Sequence, residues 1–293
     1  MTLLEFIENY YLPYYQMEHK QSSIDLLNVE VKRLKPFFKD SDIEKISVPV
    51  INAYLGELKA KYAPSSVLRT YKSLKGIFGY ALDCDVISKN PMDKVIPPKQ
   101  PRKQVDAFTE DEVRTFLDII KWQSPSLEFR TKMYLLVTTG LRRGELLGLQ
   151  WQDIDFKNHE ITLQRSILHT SASSCEVSTL KSENSYRTIP ITPEATELLR
   201  NLHLTNKGEW VFKGRYPNTL TQEVKKFMKR NGLRDMSPHD LRHTCATFLI
   251  GSGATIKSVQ DILGHAQATT TMRYYVAQDK KAMERAVSAF ARI

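Results

Sequence analysis

The string SPHDLRHTCATFLI sets His239, Arg242 and His243 at i, i+3 and i+4, so in a helix all three side chains leave one face within its first turns. Two imidazoles and a guanidinium are costly to bury without an acidic partner. His239 and His243 also have the spacing of the H-E-x-x-H zinc motif. However, Asp240 stands where that motif needs a glutamate base, and Arg242 would put a fixed positive charge beside the cation, so no metal is expected. An anion is the better guest, because an arginine fork near a helix N-terminus matches phosphate geometry. A second string, TTGLRRGELLGLQW, ends one apolar helix at Thr139 and Gly140 and begins another at Arg142, with Glu145 three residues on. Taken alone, Arg142 and Glu145 read as an ordinary surface ion pair.

The elements that must position these residues follow from apolar spacing. Residues 1–96 carry helical stripes: Leu3, Phe6, Ile7 and Tyr10; Ile24, Leu27, Val31 and Leu34; Val50, Ile51, Tyr54, Leu55 and Leu58 behind a start at Ser47 and Pro49; then Val67, Leu68, Tyr71, Leu74 and Phe78. Helical spacing accounts for the aromatics as core, which gives a small all-helical domain. Residues 97–106 combine prolines with Lys99, Arg102 and Lys103 and lack an apolar period; they read as a basic linker, either a solvated tether or a direct phosphate contact. A second domain spans 107–293 and opens with a capping box, Thr109 and Glu112, ahead of Val113, Phe116, Leu117 and Ile120. EITLQRSIL and YRTIPI are rich in β-branched residues and predict a small antiparallel β-sheet inserted between helices. Helices resume with Ser237 as N-cap, Pro238 at the first position and Gly251 closing the element. The fold class is mainly α with a small antiparallel sheet.

Composition bounds the partner. The 293 residues carry 42 Lys+Arg against 33 Asp+Glu, a net charge of +9 that favours a polyanion; alone it does not separate DNA, RNA and an anionic membrane surface. The N-terminus mixes acids among its apolar residues and is not a targeting segment, and no apolar stretch is long enough to span a bilayer. Three cysteines, Cys84, Cys175 and Cys245, have no C-x-x-C spacing, which points to reduced thiols in a cytoplasmic protein.

Four motifs in the same order resemble the tyrosine recombinase (phage integrase) family: TG-x-R-x-x-E (Gly140, Arg142, Glu145), H-x-x-R-H (His239, Arg242, His243), LGH (Leu263, Gly264, His265) and TT-x-x-Y (Thr270, Thr271, Tyr274). KSENSYRTIPI is similar to the family segment K-x-x-x-S-x-R-x-I-P, which carries a catalytic lysine, here Lys181. The resemblance covers the catalytic half by motif and the front half only by helical character. It implies a core-binding domain followed by a mixed α/β catalytic domain.

The implied activity is site-specific cleavage and rejoining of double-stranded DNA through a 3′-phosphotyrosyl bond to Tyr274, with no cofactor. Charge on the non-bridging oxygens would be braced by Arg142 and Arg242. The resemblance implies Lys181 as the acid for the 5′-oxygen, His239 as the group that relieves the phenol of its proton, and His265 on the scissile phosphate, with Glu145 and His243 supporting. Both the TT-x-x-Y register and the nine-residue step from His265 select Tyr274 over Tyr275. Val276 departs from the histidine often found two residues after the nucleophile, and a chain opening on the helical region implies a simple recombinase or a piece of a longer protein with an arm-binding domain.

The resemblance further implies two domains gripping opposite faces of the duplex and a homotetramer on two attachment sites. The segment with Met283, Ala286, Val287 and Phe290 would dock on a neighbour or on its own domain. Accessory DNA-bending or directionality proteins, a nucleoid-associated location, and integration or excision of a mobile element, viral genomes included, complete the expectation. The rivals are a type IB topoisomerase and a non-catalytic DNA-binding regulator on the same fold.

Overall fold

The structure, a computed structural model, describes residues 1–100, 107–169, 175–179, 186–214 and 216–264. The chain divides into two compact units, Met1–Lys103 and Gln104–Ile293.

The N-terminal unit is helical. α1 (Leu3–Phe6) starts at a capping box in which Thr2 and Glu5 satisfy each other's backbone N–H groups. It continues through a π-helical turn, Ile7–Tyr11, into α2 (Leu12–Glu18), and α3 (Gln21–Phe38), α4 (Val48–Lys61) and α5 (Pro64–Asp83) follow. The π turn corrects the expected first stripe. Tyr10 is 50% exposed and Tyr11 takes the buried place, because the wider turn delays the return to the core face by one residue. Val50 likewise lies exposed, while Phe6, Phe38, Leu74 and Phe78 are fully enclosed in one apolar cluster.

The C-terminal unit opens with α6 (Glu110–Gln123), capped by Thr109 and Glu112 as its sequence predicts. α7 (Leu127–Thr139) follows and is buried nearly all round, so it forms the axis of the unit, packed by later helices on several sides. α8 (Arg143–Leu147) is a single short element.

The β-region divides into two sheets where one was expected. β1 (Ile154–Asp155), β2 (Glu160–Leu163) and β5 (Arg187–Pro190) form an antiparallel sheet with Ile161 opposite Ile189 and Leu163 opposite Arg187. β3 (Arg165–His169) and β4 (Cys175–Thr179) form a separate hairpin. The break falls at Gln164 because β3 is drawn onto α8. A Cβ at Gly144 would stand 2.4 Å from Ser166 Oγ and 2.6 Å from Ile167 O, so only a glycine admits this approach. The Arg165 guanidinium donates to Asp153 at 2.5 Å, which pins the strand there.

Four helices complete the unit: α9 (Pro193–Thr205), α10 (Pro217–Arg230), α11 (Pro238–Gly251) and α12 (Ile256–Leu263). Ser237 caps α11 with Asp240 as its reciprocal partner. Gly251 is the last helical residue of α11, but the left-handed turn that ends it lies at Gly253, with φ 91°. Ala246 and Ile250 of α11 pack on Val259 and Leu263, which fixes α12 against α11. Among the described residues, no helix is long and apolar enough to cross a membrane.

Candidate active site

Helix ends build the site. α7 stops at Gly140 (φ 63°) and α12 at Gly264 (φ 66°), both left-handed, and each leaves its last carbonyls without helical partners. Those carbonyls sit at the negative end of each helix dipole and attract cations. At α12 three consecutive ones each take a different guanidinium: Ile262 O accepts from Arg187 Nε at 2.7 Å, Leu263 O from Arg242 Nη2 at 2.7 Å, and Gly264 O from Arg142 Nη2 at 2.8 Å. Arg242 Nη1 donates to Gly140 O at 2.7 Å, so this one side chain ties the ends of α7 and α12 together.

Glu145 closes the arrangement from behind. It is 1% exposed and accepts from Arg142 Nη1 at 2.6 Å and from Arg187 Nη2 at 3.1 Å, while Arg242 Nη1 stands 4.0 Å away. It also accepts the Arg142 backbone N–H at 2.9 Å, which caps the start of α8. Burial opposes ionisation of Glu145, but the guanidiniums of Arg187, Arg142 and Arg242 outweigh it and hold the carboxyl below the usual carboxylate range. Three guanidiniums against one carboxylate leave two net positive charges, which suits a phosphodiester that gains negative charge at its transition state.

Arg142 and Arg242 open onto one pocket of about 350 Å³ together with Arg143, Thr221, Ser237, Pro238 and His239. Arg242 is 2% exposed and held in place, whereas the Arg142 side chain is 42% exposed and reaches the opening. His239 is exposed at the first turn of α11, and its ring meets that of His243 edge-on at 4.1 Å. Asp240, which stands at the base position of a zinc motif, instead turns back to Ser237. Among the described residues no cluster of three or more potential ligands forms a metal site. Behind Arg242, burial pushes the Cys245 thiol up to about 12, against the opposing pull of Arg242, so this cysteine stays neutral and packs as a small apolar group.

The structure thus brings together Arg142, Glu145, His239, Arg242 and His243. Lys99 is exposed in the N-terminal unit. Lys181, His265, Tyr274, Arg102 and Lys103 lie outside the described residues, as do Tyr275, Val276 and the C-terminal segment. Arg187 was not singled out from the sequence as a site residue. It occupies the arginine position of K-x-x-x-S-x-R-x-I-P, and its partner Glu145 lies forty-two positions earlier, a convergence that only folding displays.

Paired arginines braced by a buried carboxylate thus open onto one pocket in a helical unit that carries a small antiparallel sheet. The phage integrase family model matches residues 106–281, more than half of the chain. A XerC-like tyrosine recombinase of Caldanaerobacter subterraneus is 28% identical over 280 residues, covering 82% of this chain and 70% of the relative. The ICEBs1 integrase of Bacillus subtilis is 28% identical over 261 residues, covering 83% and 70%. The fold matches that of the Tn1549 transposon integrase solved in complex with a circular intermediate DNA, with TM-score 0.81 at 21% identity over 97% of this chain and 99% of that one. The chain belongs to the phage integrase family and is a tyrosine-type site-specific DNA recombinase.

Proposed function

We propose that this chain cleaves duplex DNA at a recombination site by attack of the Tyr274 phenol oxygen on phosphorus. The P–O5′ bond breaks as the tyrosyl–phosphorus bond forms, leaving a 3′-phosphotyrosyl ester and a 5′-hydroxyl. Arg142 and Arg242 hold the non-bridging oxygens as charge accumulates there. Lys181 protonates the departing 5′-oxygen, His239 relieves the phenol of its proton, and His265 hydrogen-bonds the phosphate. Glu145, His243 and Arg187 position the groups that touch substrate. The ester conserves the energy of the broken bond, so attack by a 5′-hydroxyl of another strand rejoins DNA with neither ATP nor metal.

The observation that carries this reading is the triple engagement of α12's terminal carbonyls by Arg187, Arg242 and Arg142 over Glu145, which fixes two guanidiniums at one pocket before any substrate arrives. A nicked suicide duplex tests it. The expected result is a covalent protein–DNA adduct without added Mg²⁺, lost in Tyr274→Phe and retained in Tyr275→Phe. Absence of the adduct with wild-type protein on its recombination site would sink the reading.

On the same reading, residues 1–96 grip duplex DNA, 97–106 cross it as a basic linker with Lys99, Arg102 and Lys103 at phosphates, and 107–293 carry the chemistry. Four protomers act on two sites, accessory bending or directionality proteins choose the outcome, and the task is integration or excision of a mobile element, a viral genome among the candidates, at the nucleoid of the cytoplasm. Removing residues 280–293 is expected to weaken tetramer assembly more than binding to a single site. Equal loss of both counts against exchange of that segment.

A further inference from the structure

Arg143 lines the same pocket as Arg142, His239 and Arg242, yet the chemistry above does not use it. Gly144 is wedged under β3, so α8 cannot roll to withdraw its neighbour, and Arg143 stays exposed at the pocket mouth. Its Nη1 donates to Thr221 Oγ1 of α10 at 3.0 Å, a link across seventy-eight positions of sequence. The Thr221 hydroxyl itself donates to Pro217 O at 3.1 Å, so its hydrogen is committed and its oxygen faces Arg143 as a fixed acceptor. Arg142 and Arg187 share the single carboxylate of Glu145. Among the described residues, no carboxylate lies within ion-pair distance of Arg143. An extended, uncompensated guanidinium is thereby held beside a pocket that already carries excess positive charge.

We propose that Arg143, aligned by Thr221, binds a DNA phosphate flanking the scissile one and sets the register of the strand in the pocket. This rests on the recombinase reading. A guanidinium tied by one neutral hydrogen bond keeps donors directed outward for a second, charge-assisted contact. The contact is made on binding and persists through cleavage, so its loss falls mainly on affinity and kcat/KM.

The test uses the full chain and a duplex recovered by the wild-type protein from a randomised pool. Arg143→Gln is expected to weaken binding about tenfold and to lower the slope of log affinity against log salt by about 1. Thr221→Val, which removes the alignment but keeps the charge, is expected to weaken binding less and to retain the wild-type slope. Arg114→Gln, which removes an exposed charge paired with Glu110 on α6, controls for net charge and should leave both quantities unchanged. A scan of single neutral methylphosphonates should find one flanking position that weakens wild-type binding but not that of Arg143→Gln. If every methylphosphonate weakens both proteins alike, or if Arg114→Gln reproduces the lowered slope, the assignment to Arg143 is overturned. Failure of wild-type protein to form a covalent adduct on the nicked form of this duplex would instead strike the recombinase reading itself.

Discussion

Glu30 in the N-terminal unit and Glu145 in the C-terminal unit are each 1% exposed, and each gathers guanidiniums, yet they do different work. Glu30 accepts from Arg33 at 2.9 Å and Arg69 at 2.7 Å, with Thr70 on its other oxygen. Arg33 lies over the Tyr62 ring, Arg69 is half-exposed, and the cluster serves to pin α3 against α5. At Glu145 the arginines are also caught by the carbonyls at the ends of α7 and α12, so each guanidinium is fixed on two sides. A buried carboxylate with arginines is therefore not a site by itself. What makes one is a second set of anchors that holds the guanidiniums facing a cavity.

The largest effect expected from this difference is on cleavage. Arg242→Lys keeps a charge but cannot span Gly140 O and Leu263 O together, and single-turnover adduct formation should fall by about 100- to 1,000-fold. Arg69→Lys at Glu30 should leave that rate close to wild type. Comparable losses in the two variants would break the distinction.

Stability should separate the clusters next. Glu145→Gln deprives the buried Arg187 and Arg242 of the carboxylate beside them and is expected to cost about 3–5 kcal/mol in urea unfolding. Glu30→Gln should cost nearer about 1–3 kcal/mol, the range for an impaired buried hydrogen bond, because Arg69 is open to water and Arg33 keeps its contact with the Tyr62 ring. Equal costs would mean that the helix-end carbonyls add nothing to how firmly Glu145 is needed.

The acid limb of stability sharpens the same point. Glu145 has a folded-state pKa below its ordinary value, so the folded protein holds the proton less tightly than the unfolded chain. Its contribution is present in full above the usual carboxylate value of about 4.3 and is lost as pH falls through the lower folded value. Wild type should therefore lose stability over that acid window more steeply than Glu145→Gln. Parallel curves would remove Glu145 from the linkage.

Much of this was legible in the residues. The caps at Thr109 and Ser237 are local chemistry, carried by side chains three positions apart, and they stand as their sequences predict. Arg142, Glu145, His239, Arg242 and His243, which the fold brings together, stand out in the sequence because they match family motifs. The π turn that exchanges Tyr10 for Tyr11, and the split of the β-region at Gln164, depend on packing distant in sequence and have no local signature. Arg187 and Gly264 lie inside the K-x-x-x-S-x-R-x-I-P and LGH motifs, but what they do depends on where α12 ends against β5.

The smallest effect isolates that last contact. Gly253 and Gly264 both hold left-handed backbone, at φ 91° and 66°, so alanine strains either one, by about 1 kcal/mol. A Cβ at Gly253 would meet nothing within 4 Å, whereas at Gly264 it would stand 2.6 Å from Arg187 Nη1 and 2.9 Å from its Cζ. Gly253→Ala should thus lower stability and leave adduct formation unchanged. Gly264→Ala should lower stability further and also slow adduct formation, because a displaced Arg187 loosens Glu145 and, through it, Arg142. If the two alanines differ in stability but not in rate, Arg187 braces the fold alone, and the second set of anchors reduces to the carbonyls of Gly140, Leu263 and Gly264.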